Sequence, residues 1–155
     1  MNKLVEPQIG LECELEVDHG DLLIREFWDR GTDCIIDIRI CDVNQPSYLT
    51  RNPFSILKSV DNTKKKHYFE PYLAQRRHFT PFAVSCEGLL AKEANVFFKM
   101  FSMKLAEKWY WTYSQTVCVV KTRFNTYFVR ANINAFAGQE FRRGKFLIAW
   151  IGKME

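Results

Sequence analysis

No stretch of this chain approaches the ~20 uninterrupted apolar residues of a membrane span, so no membrane partner is expected. The first ten residues, MNKLVEPQIG, lack the apolar core of a signal peptide. The five cysteines (13, 34, 41, 86 and 118) are odd in number, scattered, and form no CxxC. That spacing argues against a disulfide framework or a zinc site and for reduced thiols inside a cell. His19, His67 and His78 form no HxH or HxxxH pair, which argues further against zinc. P-loop, GxGxxG, GxSxG and Cys–His signatures are all missing, so the common nucleotide-binding and nucleophilic-hydrolase classes have no support. There is no internal repeat and no low-complexity linker, so residues 1–155 read as one domain.

What is present is a chain able to build a core: 47% of its residues are apolar and 15% aromatic. The net charge is only +4, but it is unevenly spread. Residues 1–42 hold four basic against eleven acidic side chains, a net −7, which leaves +11 on the other 113 residues. An acidic pole beside a basic body suits a protein that holds cations in one place and phosphates around it. Chance clustering on a solvated surface is the plainer alternative.

Residues 1–20 read as a short helix or strand rich in Glu, and apolar runs predict strands at 21–27 and 34–41. A polar loop follows at 42–52, then Asn52-Pro53 marks a helix start, Asn as cap and Pro at the first helical position. That helix is predicted to run to about Arg77, with Phe54, Leu57, Val60, Lys64, Tyr68 and Tyr72 along one face and an interruption at Pro71. FTPFAVSC (79–86) reads as a buried strand, and Leu89 to Tyr110 as an amphipathic helix with Leu90, Ala94, Phe97, Phe98, Phe101, Leu105 and Trp109 inward. Ser114 is the candidate cap of a last helix through about Ala135. FLIAWI in the tail has the makings of a final strand or an edge. The order predicts an α+β or α/β fold with a small central mixed sheet flanked by helices.

Within GDLLIREFWDRGTDCIIDIRI, a hairpin symmetric about Asp29 pairs 23 with 35 and 21 with 37. Asp21 then faces Asp37, and Arg39 shares a strand face with Asp37. Two opposed carboxylates repel, and a divalent metal between them reverses that cost. Opposed acids with a cation two residues on are what metal-dependent phosphodiester cleavage needs. Two ordinary solvent-facing acids on an exposed strand are the competing reading.

This order of elements and acids resembles the PD-(D/E)XK, or restriction-endonuclease-like, nucleases. There an acid opens the second strand, and a second acid, any residue and usually Lys lie on the third. GDLLI supplies Asp21, and IIDIR supplies Asp37 and Arg39. Three longer blocks, FWDRGTDCIIDIRICDVNQPSYL, KKKHYFEPYLAQRRHFTPFAVSCEGLLAKEA and LAEKWYWTYS, resemble the region that follows the reverse transcriptase in some eukaryotic retroelement polyproteins. The likeness covers about residues 20–137, within a core of about 12–137. Residues 138–155 form an extension outside that resemblance. The sequence departs from the pattern at Arg39 (usually Lys), at Gly20 before Asp21 (usually Pro), and at Asn62 and Thr63 within a run that is charged in such relatives.

The resemblance implies a Mg²⁺- or Mn²⁺-dependent endonuclease that nicks DNA for a mobile element, within a larger reverse-transcriptase polyprotein and in the nucleus. Asp21, Asp37 and the Ile38 carbonyl become metal ligands, with Glu16 the choice among the alternating Glu12, Glu14 and Glu16. Arg39 stabilises charge but cannot shuttle a proton, so Lys64 or Lys65 from the following helix is the candidate for the missing lysine. Lys64, Lys65, Lys66, Arg76 and Arg77 are expected to contact phosphates, with Ser47 and Tyr48 near the scissile one. A solvated helix face explains the same charges without DNA. Trp109, Tyr110, Trp111 and Tyr113 read as core packing or a helix-end lid rather than a base-stacking platform. Two other functions stay open: an inactive nucleic-acid-binding module on the same fold, and a protein-interaction scaffold whose aromatics serve a partner. The sequence does not specify an oligomeric state.

Overall fold

Two apolar runs separated by Arg30-Gly31 zip into an antiparallel hairpin at the centre of the sheet. In the computed structural model, which describes Cys13–Glu14, residues 22–136 and Trp150, these runs are β2 (Leu22–Asp29) and β3 (Thr32–Cys41). Their register, Leu22↔Ile36, Leu23↔Ile35 and Ile24↔Cys34, is symmetric about position 29, as the sequence predicts. It then shifts to Asp29↔Thr32. Glu26, at φ +50°, lies where the register slips, as at a β-bulge. Beyond it Phe27, rather than an even-numbered residue, joins Leu22 and Ile24 in the core. Gly31 turns the hairpin at φ +75°, a conformation that costs glycine little, and its N–H donates to Glu26 Oε1 at 3.0 Å.

After β3 comes a 3-10 turn at Pro46–Tyr48 and then α1 (Pro53–Ala74). Asn52 caps it, its side chain accepting from Phe54 N at 2.9 Å with Pro53 in the first turn. Pro71 has no N–H to give the helix, yet α1 continues past it and ends at Ala74, three residues short of the expected end. Arg76 reverses the chain at φ +55°. β4 (Arg77–Ser85) then runs parallel to β3, from Asp33↔Arg77 to Cys41↔Ser85. Ser85 N donates to Leu89 O, and Ala91 N to Ala83 O, so odd-numbered β4 residues turn their backbone groups away from β3. Pro81 is odd-numbered, so its missing N–H removes no bond from the β3–β4 ladder.

α2 (Lys92–Trp109) and α3 (Tyr113–Phe136) complete the described chain, and the two-residue β1 (Cys13–Glu14) pairs antiparallel with β2. α2 starts at Lys92 because Leu90 bridges back to Val84. The sheet order is β1-β2-β3-β4, a small mixed sheet. Thr112, not Ser114, caps α3: its Oγ1 accepts from Gln115 N at 3.3 Å and Gln115 Oε1 accepts from Thr112 N at 3.2 Å. That reciprocal pair is a capping box. Ser114 lies inside the first turn.

Side-chain alternation divides the sheet into two faces. Leu22, Ile24, Ile36, Ile38, Phe82 and Val84 meet Phe97, Phe98, Phe101, Leu105, Val120, Phe124 and Phe128 of α2 and α3. Trp150 closes this core, stacked on Phe98 with centroids 5.2 Å apart. The opposite face meets α1 in two patches, Leu23, Ile35, Phe79 and Tyr72 at one end and Cys41, Ala83, Ile56 and Leu57 at the other. Phe54, expected inward, is exposed because Ile56 takes the core position. Of the aromatic cluster at the helix end, Trp109 packs against the core, whereas Trp111, Tyr113 and above all Tyr110 are exposed. Trp150, expected in a tail strand or edge, is helical, and the rest of that segment lies outside the described residues.

Candidate functional site

Between the two apolar patches under α1 lies a polar layer, and Asp37 is at its centre. β3 alternation points Asp37 at α1, with Ile35 on one side of it and Cys41 on the other. Asp37 is 6% exposed. Burying a carboxylate without a partner is expensive. Lys64, on the inward stripe of α1, reaches down and brings Nζ to 2.6 Å from Asp37 Oδ2. The approach is close enough for an ion pair, but Oδ2 has no aligned hydrogen bond. The same ammonium lies 5.5 Å from the Tyr68 ring centroid, one helical turn on, which adds a cation–π contact.

One turn earlier on the same stripe, Asp61 is 4% exposed. Its Oδ2 accepts from Glu93 N at 3.4 Å, in the first turn of α2. Asp61 thus serves from another helix as the cap that Ala91 cannot be. Its Oδ1 is buried with no hydrogen bond. Burial raises its carboxyl pKa to about 6, the Glu93 N–H opposing and the Glu93 carboxylate reinforcing that shift. Lys65 Nζ meets Glu93 Oε1 at 2.5 Å. The two candidate lysines therefore serve different acids.

The other candidate residues fall around this layer. Arg39 is exposed, and its guanidinium opposes the upward shift that burial imposes on the Cys41 thiol. The Ile38 side chain lies in the opposite core. Ser47 and Tyr48 sit in the turn beyond the C-terminal end of β3, with Arg51 5.7 Å over the Tyr48 ring. Arg76 and Arg77 lie past the helix, not on it, and Arg77 sits opposite Asp33 near the start of β3. The expected basic helix therefore ends at Lys66. Lys66 points outward from α1. Asp21 and Glu16 lie outside the described residues, as does Glu12; Glu14 is described only as backbone opposite Leu23.

Among the described residues, no three His, Cys, Asp or Glu side chains gather as a metal cluster. Cys34, Cys41, Cys86 and Cys118 are free thiols. No described helix is long and apolar enough to cross a membrane. Sequence reasoning overlooked Asp61 and Glu93. The signal was there: Asp61 interrupts the inward stripe between Leu57 and Lys64, and Glu93 is the acid of α2's first turn. No protein-family profile matches the sequence, and comparison with curated proteins and with solved structures finds no match.

Proposed function

We propose that the chain is a metal-dependent endonuclease domain of the restriction-endonuclease-like kind, cutting phosphodiester bonds in DNA. The observation that carries the reading is the 2.6 Å approach of Lys64 Nζ to Asp37 Oδ2. It gives the acid of β3 a lysine from the following helix, where β3 itself offers only Arg39. A small mixed sheet with helices on both faces agrees with the architecture that the resemblance implies. The register of Leu22 through Ile24 is the one needed to set position 21 against position 37.

Asp37 is a buried carboxylate, the donor type a hard cation prefers, and since its Oδ2 already faces the Lys64 ammonium at 2.6 Å, an ion would bind through Oδ1 or displace that contact. Asp37, the Ile38 carbonyl and Asp21, with Glu16, would hold Mg²⁺ or Mn²⁺. Such an ion, when bound, makes coordinated water more acidic and polarises the phosphate. Lys64 sets a positive charge against the buried Asp37 carboxylate. Its ammonium also stabilises negative charge growing on the nonbridging oxygens. Arg39 adds positive charge at the rim and moves no proton. Cleavage in the nucleus as part of a reverse-transcriptase polyprotein, for insertion of a mobile element, is the setting this reading carries.

A second reading has its own support. The Lys64 ion pair neutralises Asp37 without any metal, as an inactive nucleic-acid-binding module on the same fold would require. Nicking of supercoiled plasmid in Mg²⁺ or Mn²⁺ separates the two. Nuclease activity should fall at least ~100-fold in Asp37→Ala and in Lys64→Met, and about tenfold in Arg39→Ala, with folding checked by circular dichroism. DNA binding without metal-dependent nicking in the parent chain would favour the inactive module.

A further inference from the structure

The face of α1 that turns away from Asp37 carries a groove of about 370 Å³. Arg51, Lys58 and Lys66 supply its charge, and Ser55, Ser59, Asn62 and Thr63 lie between them. None of these seven is acidic. The helical members recur at positions 55, 58, 59, 62, 63 and 66, the spacing of one helix face. From 55 to 66 the helix rises about 16 Å, close to the axial length of five base pairs. Thr63 donates its hydroxyl to Ser59 O at 2.9 Å, which fixes its side chain along the groove.

A polar groove with three cations and no acid has little to offer an apolar peptide or a metal ion. It complements a row of phosphates. We infer that this outer face of α1 docks the sugar–phosphate backbone of duplex DNA, without reading its bases. The choice of DNA rests on the function proposed above, but the docking does not depend on cleavage. It sets Arg51, Lys58 and Lys66 as the gripping residues and leaves Lys64 and Lys65 to their acids across the helix. One helix then separates two tasks: its inner side holds the ion pair and its outer side holds the flanking duplex.

Fluorescence anisotropy with a labelled 30-base-pair duplex, run at graded NaCl on the full chain, tests this. The triple variant Arg51→Gln/Lys58→Gln/Lys66→Gln should bind at least tenfold more weakly at 100 mM salt. Its log–log salt slope should be shallower by about 3, at roughly 0.9 for each phosphate the variant leaves unneutralised. A control with the same charge change, Lys99→Gln/Lys121→Gln/Arg130→Gln, uses exposed residues of α2 and α3 and should keep the slope of the parent. Equal weakening in both triple variants would overturn the inference, since general charge would then explain the binding. So would unchanged DNA binding in the groove variant, including the case where it instead loses affinity for anionic-lipid vesicles. The titrations are run without divalent metal, so docking is read apart from cleavage and a chain that binds through the groove but never nicks would still support the inference.

Discussion

Asp61 is the residue whose surroundings and chemistry are most at odds. In the unfolded chain its carboxyl titrates near the ordinary value of 3.8; in the fold, burial moves it to about 6. Between those values the native state holds the extra proton, so stability falls as pH rises from about 4 to about 6. Above pH 6 the full cost stands, on the order of 3 kcal/mol at 1.36 kcal/mol per pKa unit. Asp61→Asn keeps an oxygen for the Glu93 N–H and carries no charge. Its melting temperature relative to the parent should therefore climb between pH 4.5 and 7.5, as thermal melts across that range would read out. A gap between the two proteins that does not change with pH would refute the assignment. At this scale the sequence was only half legible. It offered Lys64 and Lys65 side by side, and only the rotation of α1 assigns one to Asp37 and the other to Glu93. The stripe from Leu57 through Tyr72 already contained Lys64, so the choice was within reach.

Among the elements, α3 gives a direct test of cap assignment. Thr112→Ala should lower stability by about 1 kcal/mol, whereas Ser114→Ala should change it by no more than a few tenths. Urea denaturation of both variants reads the difference, and equal effects would mean that the capping box does not hold the helix start. Sequence signals for capping had pointed at the hydroxyl nearest the apolar run. The T-x-x-Q pattern from Thr112 to Gln115 is the stronger signal, because it satisfies two backbone groups at once. Strand pairing was easier to read. The β2–β3 register follows from setting two apolar runs face to face, while the slip beyond Ile24 depends on Glu26 adopting φ +50°, which residue type alone does not dictate. The end of α1 was overrun because Gln75-Arg76-Arg77 offers no glycine or proline to stop it. The stop comes instead from Arg76 in a left-handed conformation.

For the molecule as a whole, the larger core under α2 and α3 depends on a residue far along the chain. Trp150 is fully buried against Phe98, Phe101 and Phe124. Trp150→Ala should cost about 3–5 kcal/mol and leave a cavity at the α2–α3 seam. Chemical denaturation should show the loss as a lower midpoint with the slope retained. A change under about 1 kcal/mol would mean that the packing of Trp150 is dispensable. The mixed architecture was legible from the alternation of apolar runs. The division of labour between the sheet's faces was not, because it depends on which helix covers which side.

From Asp33↔Arg77 to Cys41↔Ser85, every pair of the parallel ladder is offset by the same 44 positions, and α1 occupies half of that interval. Chain length between the strands therefore works as a gauge. Extra residues in the loop before Asn52 can bulge outward and leave the phase of the helix alone. A single residue inserted between Asn52 and Lys64 would turn the ammonium about 100° away from Asp37, with the sheet still able to form. Descendants of this chain are free to lengthen the loop, but the count from cap to lysine is one they must keep.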